Sequence, residues 1–192
     1  MAPSDIGRDG VPAPGAAGRL YLLTGGSGSG KSTFAEALCA GLPQPVYYID
    51  AARPCDAQEA EDAARRLARL REKGFQTVSR YTDLAGLRLP RAGGTALLEC
   101  VCNLTANEMF DGQGRCSDPF GRVTAGVEAL CRQCALVVVV TNDVGSDGGG
   151  YDASTEAYVS AVGRINAALA ERADTVLELV CGIPLVRKGK EP

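Results

Sequence analysis

The chain has 192 residues, 45% of them hydrophobic and 22% charged, with a formal net charge of -3. That length suits one domain built on a full sheet with helices on both faces. The acidic balance argues against a general nucleic-acid binder, which carries a basic surface, and no run of about 18 apolar residues is present to span a membrane.

Residues 1–18, MAPSDIGRDGVPAPGAAG, lack a basic segment followed by an apolar one, so they do not read as a secretory signal. Their Pro, Gly, Ala and Asp content reads as a flexible leader ahead of a folded domain over 19–192, expected in the cytoplasm. RLYLLT (19–24) is a short apolar run that stops at glycines, the pattern of a buried strand. TFAEALCAGL (33–42) follows with helical spacing through Phe34, Ala37, Leu38 and Ala40. PVYYID (45–50) reads as a second strand, and DAQEAEDAARRLARLREKG (56–74) as a helix with a glycine stop. FQTVSRY (75–81) alternates like a strand, and GTALLECVC (94–102) is a continuous apolar run read as another. ALVVVVTND (135–143) is the clearest central strand. STEAYVSAVGRINAALAERA (154–173) is helical, and DTVLELVCGIPLVRK (174–188) supplies one or two last strands. Such alternation of apolar strands with helices predicts a mainly parallel α/β sheet covered on both faces. The segments 110–123 and 144–154 are the irregular ones, expected at an end of the sheet.

Eight cysteines (39, 55, 100, 102, 116, 131, 134 and 181) stand against no histidine at all. Cys131-x-x-Cys134 has metal spacing, but a zinc site needs four ligands and no histidine completes a mixed set. Reduced packing cysteines are the simpler reading, with Cys39, Cys100 and Cys181 expected in apolar surroundings.

The chemistry sits in Gly25-Gly26-Ser27-Gly28-Ser29-Gly30-Lys31-Ser32, which matches G-x-x-x-x-G-K-[ST] at every required position. Glycines let the backbone curl so that successive N–H groups face phosphate oxygens, and the following helix adds its positive end. Lys31 is expected to reach the β- and γ-phosphates of ATP or GTP, Ser32 to ligate Mg²⁺, and Thr33 to lie near the α-phosphate. A chance glycine-rich turn is the bland alternative; an apolar strand entering and a helix leaving argue against it. Glu99, closing an apolar strand, is the expected carboxylate behind the metal, with Asp143 the competitor at the end of another strand.

The segments LLECVCNLTANEMF, VVVVTNDVGSDG, GRINAALAERADTVLELVCGIPL and KGFQTVSRYTDL together resemble the adenosylcobinamide kinase / adenosylcobinamide-phosphate guanylyltransferase family of cobalamin assembly. The resemblance runs from about residue 20 to residue 188 and is sharpened by Asn142-Asp143-Val144-Gly145, Gly163-x-x-Asn166 and the terminal GIPLVRK. It implies a RecA-like P-loop fold and a homotrimer. It also implies phosphorylation of the aminopropanol hydroxyl of adenosylcobinamide by ATP or GTP, then GMP transfer onto that phosphate through a covalent histidine–GMP intermediate. The implied partners are adenosylcobinamide and nucleotide. Carried over by position, nucleotide contacts fall on residues 25–33, on Asp50, Ala51 and Ala52, and on Glu99.

Three places depart from the family. Members usually carry Ala-Thr where this chain has Asp50-Ala51, and the GMP-accepting histidine lies on the helix that here reads AEDAARRLARLREKG, with Arg65 and Arg66 in its neighbourhood. Ser79 stands where a glutamate is usual in the next strand. An arginine stays protonated (pKa above ~12) and offers no lone pair to phosphorus, so the histidine route is closed. Arg65 and Arg66 are expected as a solvated face paired with Glu59 or Glu61. These residues predict a kinase. A bifunctional enzyme using another nucleophile (Lys73 is nearby), a nucleotide-binding pseudoenzyme and an unrelated small-metabolite kinase stay open.

Overall fold

The computed structural model describes residues 18–110, 117–145 and 150–190. Seven strands, β1 (Arg19–Thr24), β2 (Val46–Asp50), β3 (Gln76–Ser79), β4 (Thr95–Glu99), β5 (Leu136–Val140), β6 (Thr175–Val180) and β7 (Ile183–Lys188), form one sheet in the order β3-β2-β4-β5-β1-β6-β7. All neighbours pair parallel except β6 and β7, which form an antiparallel hairpin. The helices are α1 (Lys31–Ala40), α2 (Ala57–Glu72), α3 (Val101–Met109), α4 (Phe120–Gln133) and α5 (Ala153–Arg172). The α/β architecture expected of a P-loop protein is therefore present.

Alternation along the buried strands divides the core in two. Leu20, Leu22, Ala96, Leu98, Val137 and Val139 meet Leu104, Val127, Leu130, Ile165 and Leu169, so α3, α4 and α5 cover that face. Tyr21, Leu23, Leu97, Val138 and Val140 point the other way, onto Ala35 and Cys39 of α1 and Leu67 and Leu70 of α2. Every residue of β5 is buried, and each such Val or Leu contributes roughly 1.5–3 kcal/mol on leaving water. Parallel pairing brings the C-terminal ends of β1, β2, β4 and β5 to one edge, where the connections to helices leave the sheet. In open α/β sheets that edge is where ligands bind.

Several sequence boundaries move. The apolar run 94–102 is a strand only to Glu99; α3 begins at Val101, right after Cys100, because an unbroken apolar run has no period that separates strand from buried helix. Residues 120–123, read as loop, open α4, and residues 153 and 154 belong to α5. Residues 111–116 and 146–149 of the two irregular segments, and residues 1–17 of the leader, lie outside the described residues. Cys39, Cys100, Cys131 and Cys134 are buried as expected, whereas Cys181 is exposed. Cys181 and Gly182 are the two-residue turn of the β6–β7 hairpin, with φ of 50° and 82°. Such a turn needs positive φ at both positions and projects from the sheet end, so the apolar strand before it says nothing about the turn. Cys116 lies outside the described residues.

Candidate functional site

β1 ends at Thr24 and the chain curls through residues 25–30 into α1. Two glycines are required by geometry. Gly25 has φ 141°, and a Cβ there would stand 2.5 Å from the Leu179 carbonyl oxygen. Gly30, at φ 92°, lies against the β6–β7 turn, where Gly182 N–H donates to the Ser29 carbonyl at 2.8 Å. The helix starts also differ. α2 and α5 begin with Asp56 and Asp152, whose carboxylates accept from first-turn N–H groups. α1 begins at Gly30 with no side-chain cap and no acid in its first turn. Its N-terminal N–H groups and positive end are thus left to an anionic ligand.

Lys31 is 6% exposed, and its Nζ donates to the carbonyls of Gly25 (2.9 Å) and Gly26 (2.6 Å) and to Ser29 Oγ (3.3 Å). Burial lowers its pKa, opposed chiefly by the charge of Glu99. Ser32 Oγ donates to Glu99 Oε1 at 2.9 Å, although the two residues are 67 apart in sequence. Burial pushes the Glu99 carboxyl up to about 7, against the pull of the Ser32 hydroxyl, Lys31 and Arg66. Its second oxygen, Oε2, is buried with no hydrogen-bond partner. An unmatched buried carboxylate oxygen is costly. Beside a serine hydroxyl in a phosphate-binding loop, it fits the oxygen-rich surroundings of Mg²⁺, which keeps waters and nucleotide phosphates as its other ligands. Among the described residues no group of three or more His, Cys, Asp or Glu gathers to cage a metal. Residues Ser27 to Thr33 line a cavity of about 480 Å³ together with Glu99, Cys100, Asn103 and Asn142.

Asp143 is exposed, and the contact that ties it to the loop is its backbone N–H on the Gly25 carbonyl at 3.2 Å. Ser32 pairs with Glu99 instead, so the geometry favours Glu99 of the two acids. The Asn142–Gly145 turn is braced from α5: Asn166 Nδ2 donates to the Asn142 carbonyl (3.2 Å), and Thr141 Oγ1 donates to Asn166 Oδ1 (2.7 Å).

Asp50, Ala51 and Ala52 do not line the phosphate cavity. The Asp50 carboxylate is 1% exposed and accepts from Arg66 Nη2 at 3.0 Å on each oxygen and from Ala52 N–H at 3.2 Å. Ala51 N–H donates to the Glu99 carbonyl, and the Ala51 carbonyl accepts from Asn107. These groups are spent on internal contacts. Of the two arginines, only Arg65 meets the expectation of a solvated helix face, pairing with Glu61 at 3.6 Å and with Asp62. Arg66 pairs with Asp50, and Glu59 instead accepts from Cys55 N–H at the start of α2. A same-helix rule cannot see a partner 16 residues away on a strand end.

Sequence reasoning missed Asn103 and Asn107 as well. Both lie on α3 at i, i+4 within VCNLTANEM, so a polar pair at helical spacing was the signal, hidden by reading the start of that segment as strand.

The family described as cobinamide kinase / cobinamide phosphate guanyltransferase matches residues 21–186. The chain is 32% identical over 181 residues to the bifunctional adenosylcobalamin biosynthesis protein CobU of Escherichia coli K12, covering 85% of this chain and 97% of that protein. It is 30% identical over 174 residues to the bifunctional adenosylcobalamin biosynthesis protein CobP of Pseudomonas aeruginosa, covering 88% and 97%. Among solved structures, an ATPase from the type III secretion system of pathogenic bacteria superposes with a TM-score of 0.50 at 12% identity, over 93% of this chain and 59% of that one. At that identity the likeness speaks to fold alone, and the chain spans less than two thirds of the ATPase.

Proposed function

Because the chain belongs to the cobinamide kinase / cobinamide phosphate guanyltransferase family, we propose that it phosphorylates the aminopropanol hydroxyl of adenosylcobinamide with the γ-phosphoryl of ATP or GTP. The observation that carries the reading is the Ser32–Glu99 hydrogen bond beside the buried Lys31, at the floor of the loop cavity. Phosphoryl transfer asks a protein chiefly for positioning and charge stabilisation, and this cluster supplies both.

In this reading the N–H groups of residues 25–33 and the uncapped start of α1 hold the phosphate chain. Lys31 moves from loop carbonyls onto the β- and γ-phosphate oxygens. Ser32 and Glu99 would hold Mg²⁺, which supplies positive charge against the phosphate oxygens when bound. The acceptor oxygen bonds to the γ-phosphorus as the bond to the β–γ bridging oxygen breaks, the nucleoside diphosphate departs, and the hydroxyl proton passes to solvent. Asp50 acts indirectly, by fixing Arg66. On the family resemblance, the enzyme works in the cytoplasm as a homotrimer.

GMP transfer through a phosphohistidine is closed to a chain with no histidine. Neither nearby cation replaces it: Arg66 on α2 is ion-paired with Asp50, and Lys73, just past the end of α2 with its Nζ 2.7 Å from Glu36, is ion-paired in turn. Neutral imidazole both attacks and leaves readily; a paired guanidinium or ammonium does neither. The test is a coupled assay of nucleoside diphosphate release with and without adenosylcobinamide. Acceptor-dependent release that Lys31→Ala abolishes supports the kinase; release that ignores the acceptor sinks it.

A further inference from the structure

Two cysteines stand where the chain passes from β4 into α3. Cys100 follows Glu99 and is the cap residue of α3, yet its thiol caps no N–H group. It forms part of the wall of the phosphate cavity beside Lys31, Ser32 and Glu99. A cap side chain leans over the first turn of its helix, and the second residue of that turn is Cys102. The two thiols hydrogen-bond to each other. One helical residue between them sets their Cα atoms ~5.4 Å apart, inside the roughly 4.4–6.8 Å that a disulfide spans.

Cys102 ties this pair to the phosphate loop. Its sulfur accepts the Asn142 N–H at 3.4 Å and lies 3.7 Å from Thr141 Oγ1. The next residue, Asp143, donates its N–H to the Gly25 carbonyl at 3.2 Å. A change at Cys102 therefore reaches the loop through two consecutive peptide groups of the Asn142 turn. The Lys31 ammonium also acts on both sulfurs, and electropositive surroundings at a cavity wall are what make a thiol reactive. Cys39, Cys131 and Cys134, by contrast, are 0% exposed.

We propose that Cys100 and Cys102 form a redox switch on the nucleotide site: peroxide closes them into a disulfide that weakens Mg–nucleotide binding, and thiol reductants reopen it. The proposal rests on the reading of the loop as a nucleotide site. The Cys102 sulfur, its proton released to water, attacks one peroxide oxygen. The S–O bond forms as the O–O bond breaks, and the departing hydroxide takes up a proton to leave as water. The Cys100 sulfur then displaces the hydroxyl from Cys102; the S–S bond forms, and the hydroxyl leaves as a second water with the Cys100 proton. Two thiols are oxidised and one peroxide is reduced. Closing the bond draws the Cys102 sulfur off the Asn142 N–H and fixes Cys100 against its neighbour Glu99, which disturbs both supports of the cavity. Linkage makes the effect reciprocal: bound nucleotide shifts the disulfide equilibrium toward the thiols by the same factor.

The test treats the full chain with hydrogen peroxide and reads two quantities. Trypsin releases residues 92–115 as one peptide whose only cysteines are Cys100 and Cys102; the disulfide makes it two hydrogen masses lighter. Titration of a fluorescent ATP analogue with Mg²⁺ should weaken by about tenfold or more and recover with dithiothreitol. Cys102→Ala and Cys100→Ala, each compared with its own untreated sample, should bind nucleotide equally before and after peroxide. A chain with the exposed Cys55 and Cys181 both replaced by serine should keep the full response. A peptide 92–115 of unchanged mass overturns the switch, as does a disulfide that leaves nucleotide binding intact. Peroxide sensitivity that persists in both alanine variants places the effect elsewhere and overturns it too. Untreated wild type that does not bind the analogue overturns the loop reading itself, whatever the peptide mass.

Discussion

The phosphate loop and the wall beside it share one edge of the sheet but are built differently. The loop is local: eight consecutive residues, two glycines placed by backbone geometry, and a helix start left uncapped. The wall is assembled at long range, with Asp50 from β2, Arg66 from α2, Glu99 from β4, and Asn103 and Asn107 from α3. A local site survives most changes elsewhere and fails through its own residues. An assembled site fails when any one of its partners is withdrawn, and its loss is felt first as instability.

That contrast can be broken most sharply at Lys31. Lys31→Ala should cut kcat/KM for adenosylcobinamide phosphorylation by about 100-fold or more, as removing a charge donor to the transferring group does, with little change in melting. A large loss of stability alongside would show that the loop is less self-contained than described.

The wall should answer in the opposite currency. Arg66→Ala leaves the Asp50 carboxylate buried without its cation, and such a loss costs about 3 kcal/mol. Arg65→Ala, whose partners are both exposed, should stay within about 0.5 kcal/mol. Urea unfolding of the two variants side by side checks this; equal effects would return Arg66 to the solvated face expected from sequence.

Glu99 joins the two regions, and pH separates its roles. Its carboxyl is raised from 4.5 to about 7, so the native state holds that proton more tightly than the unfolded chain does. Relative to Glu99→Gln, wild type should lose stability as pH climbs from about 4.5 to about 7, seen in melts at pH 5 and pH 8. Activity should do the reverse, rising through pH 7 as the carboxylate forms. Glu99→Gln should lack that limb and fall about tenfold below wild type at pH 8. If Asp143→Asn removes the limb instead, the metal support belongs to Asp143.

The smallest expected effect is at the brace behind the Asn142 turn. Asn166→Ala leaves the buried Thr141 hydroxyl without its acceptor and should cost about 1 kcal/mol, with a modest rise in KM for nucleotide because Asn142 lines the phosphate cavity.

What the sequence reveals follows the same division. β5 and the loop are legible because their signals are contiguous: LVVVV reads as a central strand, and glycine spacing with Lys31 and Ser32 reads as a phosphate cradle. Glu99 is legible because it ends an apolar run. The Asp50–Arg66 pair is not, since nothing in a helix of alternating Arg, Ala and Glu tells which arginine faces a strand end. Asn103 and Asn107 were masked by an apolar run that continued from strand into helix across Cys100. Cys181 was misjudged because two strands were read through the turn that joins them.

The central claim is that this chain transfers the terminal phosphoryl group and lacks the histidine route to GMP. The most direct measurement incubates it with adenosylcobinamide and Mg²⁺ in two parallel reactions, one with γ-labelled and one with α-labelled GTP, and follows label on the corrinoid and on the protein. The account predicts label on the corrinoid from the γ position only, and none on the protein from either. Label from the α position on either corrinoid or protein would contradict it and show GMP transfer by another residue.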